Sequence, residues 1–253
     1  MAGKLLVGTS GWNYYDWKGL FYPDTMKARD YLAHYAHEFR TTEVNYSFYH
    51  LPKPATYENW AAQVPQDFRF AVKASRVITH IRRLRDVADL WQTFLENASM
   101  LGNKLGPILL QFPPSFKRND DLLDGFLTHS SKMKAFRGIH LAMEFRHASW
   151  YDDKTYAALK RHGCALVIAQ SERYPQAPYV PTAPFLYLRL HGPGALFASS
   201  YSSDQLADWA ARIREWLAEA ESIHVYFNND FHGYAIENAK MLETMVSGKR
   251  SRP

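Results

Sequence analysis

Five β-type stretches of this chain end in two polar residues spaced i, i+2: Glu43/Asn45, Lys73/Ser75, Glu144/Arg146, Arg189/His191 and Asn228/Asp230. A further stretch ends on Gln111. In a strand, residues i and i+2 share a face, so each pair aims at the same side. Three carboxylates (Glu43, Glu144, Asp230), three cations (Lys73, Arg146, Arg189) and a titratable His191 therefore stand at strand ends. Glu43 and Glu144 suit an acid–base pair of the kind used in glycoside hydrolysis, or structural pairing with Lys73 or Arg146. A desolvated Lys73 is a base or a Schiff-base amine, and otherwise an ion-paired lysine. Arg146 and Arg189 suit a planar anion such as phosphate or carboxylate. Asn45, Gln111, Asn228 and Asn229 offer the mixed donors and acceptors that a polyhydroxylated ligand needs. Lys73 and His191 join Glu43 and Glu144 as the candidate catalytic set, and the remaining groups are candidate binders.

Glu43, Glu144, His191 and Asp230 are also ligand types for a divalent metal. No H-x-H or H-x-x-x-H spacing gathers them, and the neighbouring cations oppose a metal, which stays the minor alternative to a metal-free site. The Gly-rich "GTSGWNYYDW" segment after the first strand is neither a P-loop nor G-x-G-x-x-G. It reads as a tight turn with Trp12 and Tyr14 lining the pocket or packing beneath it, or as a backbone N–H cradle for a phosphate.

The elements that must hold these groups are eight near-continuous apolar runs: 4–8, 41–45, 68–75, 106–112, 139–146, 164–170, 185–192 and 222–230. Continuous apolar runs fit parallel strands buried on both faces. Helical periodicity fills the intervals at 26–39, 86–102, 120–133, 152–163, 202–221 and 234–246. The sixth crossover, 171–184, holds four prolines and no helical period, and reads as a loop. This alternation predicts a single α/β domain over 1–246, a (β/α)8 TIM-barrel-like fold, with an open doubly wound sheet as the alternative. In such a barrel all the polar strand ends gather on the C-terminal rim. The basic stretch 247–253 reads as a disordered tail.

At 253 residues with 47% apolar content, the chain is long enough for one such domain with a sizeable core. No run approaches the roughly 18 apolar residues that cross a membrane, and the first residues lack the features of a secretory signal. No membrane partner is expected, and a cytoplasmic location is. Cys164 is the sole cysteine, which excludes an intrachain disulfide and a Cys-based zinc site. The net charge of +5 favours an anionic partner, or merely a solvated surface. The strongest basic patch, 75–86, carries Arg76, His80, Arg82, Arg83 and Arg85. With rim aromatics Trp12, Tyr14, Tyr49 and Trp150 it could hold a nucleic-acid backbone, or form a solvated helix start.

Seven motifs, "GTSGWNYYDWKGLFYP" (8–23), "TEVNYSFYHLP" (42–52), "FRFAVKASRVITH" (68–80), "GPILLQFPPSF" (106–116), "EFRHASW" (144–150), "LRLHG" (188–192) and "YFNNDFHGYAIENA" (226–239), resemble in order the YecE-like family, domain of unknown function 72. The resemblance implies a TIM-barrel-like fold and supplies no activity. From the residues, the expectation is an enzyme acting at the rim on a small anionic or polyhydroxylated ligand, by hydrolysis or phosphodiester chemistry. The alternatives are a nucleic-acid-binding protein without catalysis and a small-molecule binding or sensing protein.

Overall fold

The structure, a computed structural model, describes residues 3–194 and 199–248. The expected tail therefore lies outside the described residues from 249 onward, while Ser247 ends the last helix and Gly248 caps it at φ 65°.

Among the described residues nine strands form: β1 (Lys4–Thr9), β2 (Thr41–Val44), β3 (Arg69–Lys73), β4 (Leu105–Gln111), β5 (Leu141–Glu144), β6 (Ala165–Leu166), β7 (Ile168–Gln170), β8 (Phe185–Leu190) and β9 (Ser222–Phe227). All eight expected runs are present, the sixth split in two at Val167, whose N–H donates to the Met143 carbonyl at 2.9 Å. Every pairing is parallel. The ladder falls into a five-stranded sheet, β2-β3-β4-β5-β6, and a four-stranded sheet, β1-β9-β8-β7. The architecture is thus α/β with two parallel sheets. No ladder joins β1 to β2; side chains bridge that seam instead. The Tyr35 hydroxyl accepts from the Thr9 N–H and donates to the Thr41 carbonyl, both at 3.0 Å, and Thr42 Oγ1 donates to the Thr9 carbonyl at 3.1 Å.

Helices fill most crossovers: α1 (Tyr31–Glu38), α2 (Tyr46–Tyr49), α3 (Pro54–Ala62), α4 (Ala88–Ala98), α5 (Asp120–Lys132), α6 (Asp153–Arg161), α7 (Ser203–Trp216) and α8 (Tyr234–Ser247). Local capping explains several starts. Asn119 accepts from the Leu122 N–H ahead of α5, and Ser202 with Gln205 forms a full capping box on α7. The expected helix at 26–39 is shorter, because Lys27 is extended and residues 28–30 form a 3-10 turn. The α2–α3 pair was not expected: Pro54 opens α3, but only Tyr57 of that helix is buried, so its apolar stripe is faint. Residues 171–184 carry no helix or strand. Segment 75–86 is not a helix start either. It makes a π turn at Val77–Ile81, then places Arg83, Leu84 and Asp86 at φ 50°, 68° and 50°. Among the described residues, no helix is long and apolar enough to cross a membrane.

Among the described residues two apolar clusters result. The larger packs helices such as α4 and α5 onto the outer strand faces through Trp91, Phe94, Leu123 and Phe126. The smaller lies between the sheets and comprises Ala71, Leu109, Ala142, Ala165, Val167, Phe185, Tyr187 and Tyr226. Three alanines there make room for two tyrosines, and this inner layer is the floor of the site described below.

Gly8 marks the tightest approach of β1 to β2, since a Cβ on it would stand 2.1 Å from the Thr41 carbonyl oxygen. Gly8→Ala is expected to cost ~3 kcal/mol or more by forcing the seam apart. Gly125→Ala, inside α5 with nothing within 4 Å of its Cβ, is expected to gain about 1 kcal/mol. Urea denaturation of the two variants checks the contrast.

Candidate functional site

The inner cluster and the polar strand ends are one face of the same strands. Lys73 follows Ala71 by two residues, Gln111 follows Leu109, Glu144 follows Ala142, Arg189 follows Tyr187 and Asn228 follows Tyr226. With the side-chain period of two, each strand presents an apolar residue to the floor and then a polar one a layer above it. The strands are parallel, so the polar layers coincide.

The centre of that layer is Arg189, which is 1% exposed. Its Nε donates to Glu43 Oε2 at 2.9 Å and its Nη2 to Glu43 Oε1 at 2.8 Å, a bidentate pair. Its Nη1 donates to Glu144 Oε2 at 2.6 Å. Glu43 also accepts from Ser10 Oγ at 2.6 Å, the Tyr187 hydroxyl at 2.7 Å and Asn45 Nδ2 at 3.3 Å. The other oxygen of Glu144 accepts from Arg146 Nε at 2.7 Å. Above this cluster opens a cavity of about 690 Å³, lined among others by Tyr14, Asn45, Phe48, Tyr49, Lys73, His80, Gln111, Arg146, Asn228 and Asp230. A second cavity of about 510 Å³ shares Tyr14 and Asn45 with it and contains Trp12 and Trp60.

Electrostatics divides the groups sharply. Burial pushes Glu43 and Glu144 up, but the Arg189 charge outweighs it, aided by Lys73 at both and by Arg146 at Glu144, so both carboxyls sit below their usual range. Burial works against the Arg189 charge, yet the two carboxylates hold its guanidinium above the usual value. Lys73 goes the other way. Burial, reinforced by the Arg189 charge and only partly offset by Glu43 and Glu144, brings its amine down to about 7. Burial raises Asp230 to about 7, with Glu43 adding to the rise and the Tyr14 hydroxyl opposing it. Burial, then the neighbouring cations, lowers His80 and His191 to about 4, so both are neutral at pH 7.

The structure brings together Glu43, Asn45, Lys73, Gln111, Glu144, Arg146, Arg189, His191, Asn228 and Asp230. His191 lies behind Arg189, with Nε2 3.4 Å from Nη1 and Nδ1 3.1 Å from the Gln170 carbonyl. Three expectations are corrected. Asn229 is fully buried and turned toward α8, its Nδ2 donating to Asn238 Oδ1 at 2.8 Å and the Ser199 carbonyl at 2.9 Å. Ser75 initiates the π turn, its Oγ accepting from the Val77 N–H. Trp150 is fully buried, donating to the Phe116 carbonyl at 2.7 Å, because the chain turns inward after β5. Trp12 stands edge-on to Trp60 at 5.4 Å in the second cavity. Ser10, Phe48 and Tyr187 were not anticipated. Tyr187 alone had a signal, since it precedes Arg189 by two on one strand face. Among the described residues, no three or more His, Cys, Asp or Glu side chains group as metal ligands.

The molecule is therefore an α/β protein with parallel sheets whose strand ends share one charged pocket. A family model described as "Protein of unknown function DUF72" matches residues 6–253. The chain belongs to the DUF72 family. It is similar to the UPF0759 protein YunF of Bacillus subtilis, 24% identical over 275 residues that cover 95% of this chain and 94% of YunF. The UPF0759 protein YecE of Escherichia coli K12 is 33% identical over 112 residues, covering 44% of this chain and 39% of YecE. A solved DUF72 family protein from Thermotoga maritima superposes with a TM-score of 0.80 at 28% identity, covering 96% of this chain and 99% of the other. One from Enterococcus faecalis shares the fold at a TM-score of 0.83 and 22% identity, with 98% of each chain covered.

Arg189→Met would leave the buried Glu43 without an ion pair and Glu144 with Arg146 alone, at an expected cost of about 3–5 kcal/mol. Paired, Glu43 and Glu144 contribute stability above their ordinary values, and that contribution is lost as pH falls. Unpaired, their burial raises them, so they neutralise readily in acid. The deficit of the variant should accordingly be larger at pH 8 than at pH 5, as read by urea denaturation at both.

Proposed function

We propose that this protein is an enzyme acting on a small anionic substrate bound at the pocket, on a scaffold that works as one TIM-barrel-like (β/α)8 unit with the site at the C-terminal strand ends. The observation that carries this reading is the division of partners. Glu43, Glu144 and Arg189 consume one another. Arg146 spends Nε on Glu144, while its two terminal nitrogens have no hydrogen-bond partner among the described residues. A guanidinium so held is a fork aimed at a carboxylate or phosphate. Lys73 beside it adds a second donor, and Asn45, Gln111 and Asn228 suit hydroxyls on the same ligand.

This reading moves roles within the expected set. Glu43 and Glu144 are held ionised, so neither serves as a general acid near neutrality. Asp230 and Lys73, both near 7, match the requirement that a proton-transferring group titrate near the working pH. Arg189 positions the carboxylates, each of its three nitrogens donating to Glu43 or Glu144, and the substrate anion is assigned to Arg146. Hydrolysis and phosphodiester cleavage remain compatible with Asp230 as the proton donor.

A second reading, nucleic-acid binding, is favoured by one observation: Arg76, Arg82 and Arg85 are exposed on the strained segment after β3, beside a mouth carrying the exposed rings of Tyr49 and Phe231. One binding experiment separates the two, titrating inorganic phosphate and a short single-stranded oligonucleotide at two salt concentrations. The enzyme reading expects phosphate to bind and Arg146→Met to weaken it about 10-fold or more, the worth of a charge-assisted hydrogen bond. Oligonucleotide binding with a steep salt dependence, without a phosphate site at Arg146, would support the second reading. Binding of neither overturns both.

A further inference from the structure

We infer that Lys73 is a nucleophilic amine that forms an imine with the carbonyl carbon of a small substrate whose carboxylate or phosphate rests on Arg146. The inference rests on the reading of the pocket as an anion site and adds the substrate class: carbonyl compounds bearing an acidic group.

Two lysines in this chain are equally buried, each 9% exposed, and their surroundings differ. Lys104 donates to the Ala61 carbonyl at 2.6 Å and the Val64 carbonyl at 2.7 Å, a structural lysine with its charge well solvated by backbone. Lys73 ends β3 at the wall of the 690 Å³ cavity. Among the described residues, its Nζ makes no hydrogen bond and has no carboxylate within 4.0 Å. It stands over the face of the Phe48 ring, 4.2 Å from Nζ to the centroid. The carboxylates that could have paired with it, Glu43 and Glu144, are already bound to Arg189. A buried amine beside an apolar ring and a guanidinium, facing open volume, is the environment that activates a lysine as a nucleophile. The lowered basicity agrees: near pH 7 a sizeable share of this amine is neutral, while an ordinary lysine is almost wholly charged.

The chemistry balances without an oxidant or reductant. The Nζ lone pair attacks the carbonyl carbon, forming a C–N bond as the C=O pair moves to oxygen. One proton passes from nitrogen to that oxygen, giving a carbinolamine. A second proton lets the hydroxyl leave as water while the nitrogen lone pair forms C=N, leaving a protonated imine. Asp230 is suited to supply that second proton. It lies on the same cavity, holds a proton near neutrality, and its buried Oδ1 has no hydrogen-bond partner among the described residues. The resulting iminium draws electrons from the neighbouring carbon, so the reaction class is proton removal or carbon–carbon bond making and breaking next to a carbonyl.

The test is reductive trapping on the full chain. Pyruvate and glyceraldehyde 3-phosphate serve as the carboxylate and phosphate probes, with acetone as the neutral control. Each is incubated with sodium cyanoborohydride, and modified lysines are mapped by peptide mass. The expected result is an adduct at Lys73 formed at least 10-fold faster than at any other lysine, with one of the two acidic probes. It should be faster than with acetone, accelerate as pH rises through about 7, and be slowed at least 10-fold by Arg146→Met. Mapping on the unmodified sequence needs no variant at Lys73, so a folding defect of Lys73→Arg would not blur the answer. Adducts spread over surface lysines with Lys73 unmodified overturn the inference. If inorganic phosphate binds at Arg146 while Lys73 stays unmodified, the imine falls and the anion site stands. If neither occurs, both fall.

Discussion

One guanidinium organises this molecule. Arg189 comes from β8 in the four-stranded sheet, while Glu43 and Glu144 come from β2 and β5 in the five-stranded sheet. The charged cluster therefore ties the two sheets together across their interior, where no backbone ladder runs between β1 and β2. The Tyr187 hydroxyl on Glu43 and the Thr41–Tyr226 hydroxyl pair, at 2.7 Å each, cross the same gap. Burying three charges is costly, and such a cluster is tolerated only when every charge is matched and every remaining lone pair is hydrogen-bonded. Here Ser10, Asn45, Tyr187 and Arg146 complete that matching.

The completeness of the cluster shapes everything around it. Because both carboxylates are spent, Lys73 is left without an anion of its own, and the nearby Arg189 charge disfavours its ammonium further. Because Glu144 takes only Nε of Arg146, the rest of that guanidinium faces the cavity, stacked at 4.3 Å on the Tyr174 ring. The reactive potential of the pocket thus arises from what the structural ion cluster leaves over. The segment beyond Lys73 sends His80 to the cavity from a π turn and then carries three non-glycine residues at positive φ outside the cavity lining. Conformations of this kind persist where surrounding contacts enforce them, and here they place His80 at the mouth.

Much of this is legible in the sequence. The eight apolar runs announced parallel strands, and the i, i+2 pairs announced a shared polar layer, because both follow from a local rule, the period of two. Relations that depend on chain sections far apart were not legible. That one arginine would satisfy both glutamates could not be read from spacing, since residues 43, 144 and 189 are brought together only by sheet packing. The same holds for Trp150, which the turn after β5 carries into the core; Asn229, by contrast, points to α8 as the period of two requires of the residue between Asn228 and Asp230. The faint apolar stripe of α3 and the sharply turning 75–86 segment were missed for the opposite reason. Their conformations are imposed by packing and defy local periodicity.

The central claim is that the glutamates are locked and the lysine is loose. Carbon-13 NMR titration of the folded chain, with labelled glutamate carboxyl and lysine ε carbons assigned by single substitutions, reads this directly. Glu43 and Glu144 are predicted to stay ionised down to the acid limit of folding, while the Lys73 ε carbon titrates near pH 7. A glutamate of this pair titrating near neutrality, with Lys73 titrating near its ordinary value above 10, would contradict the account.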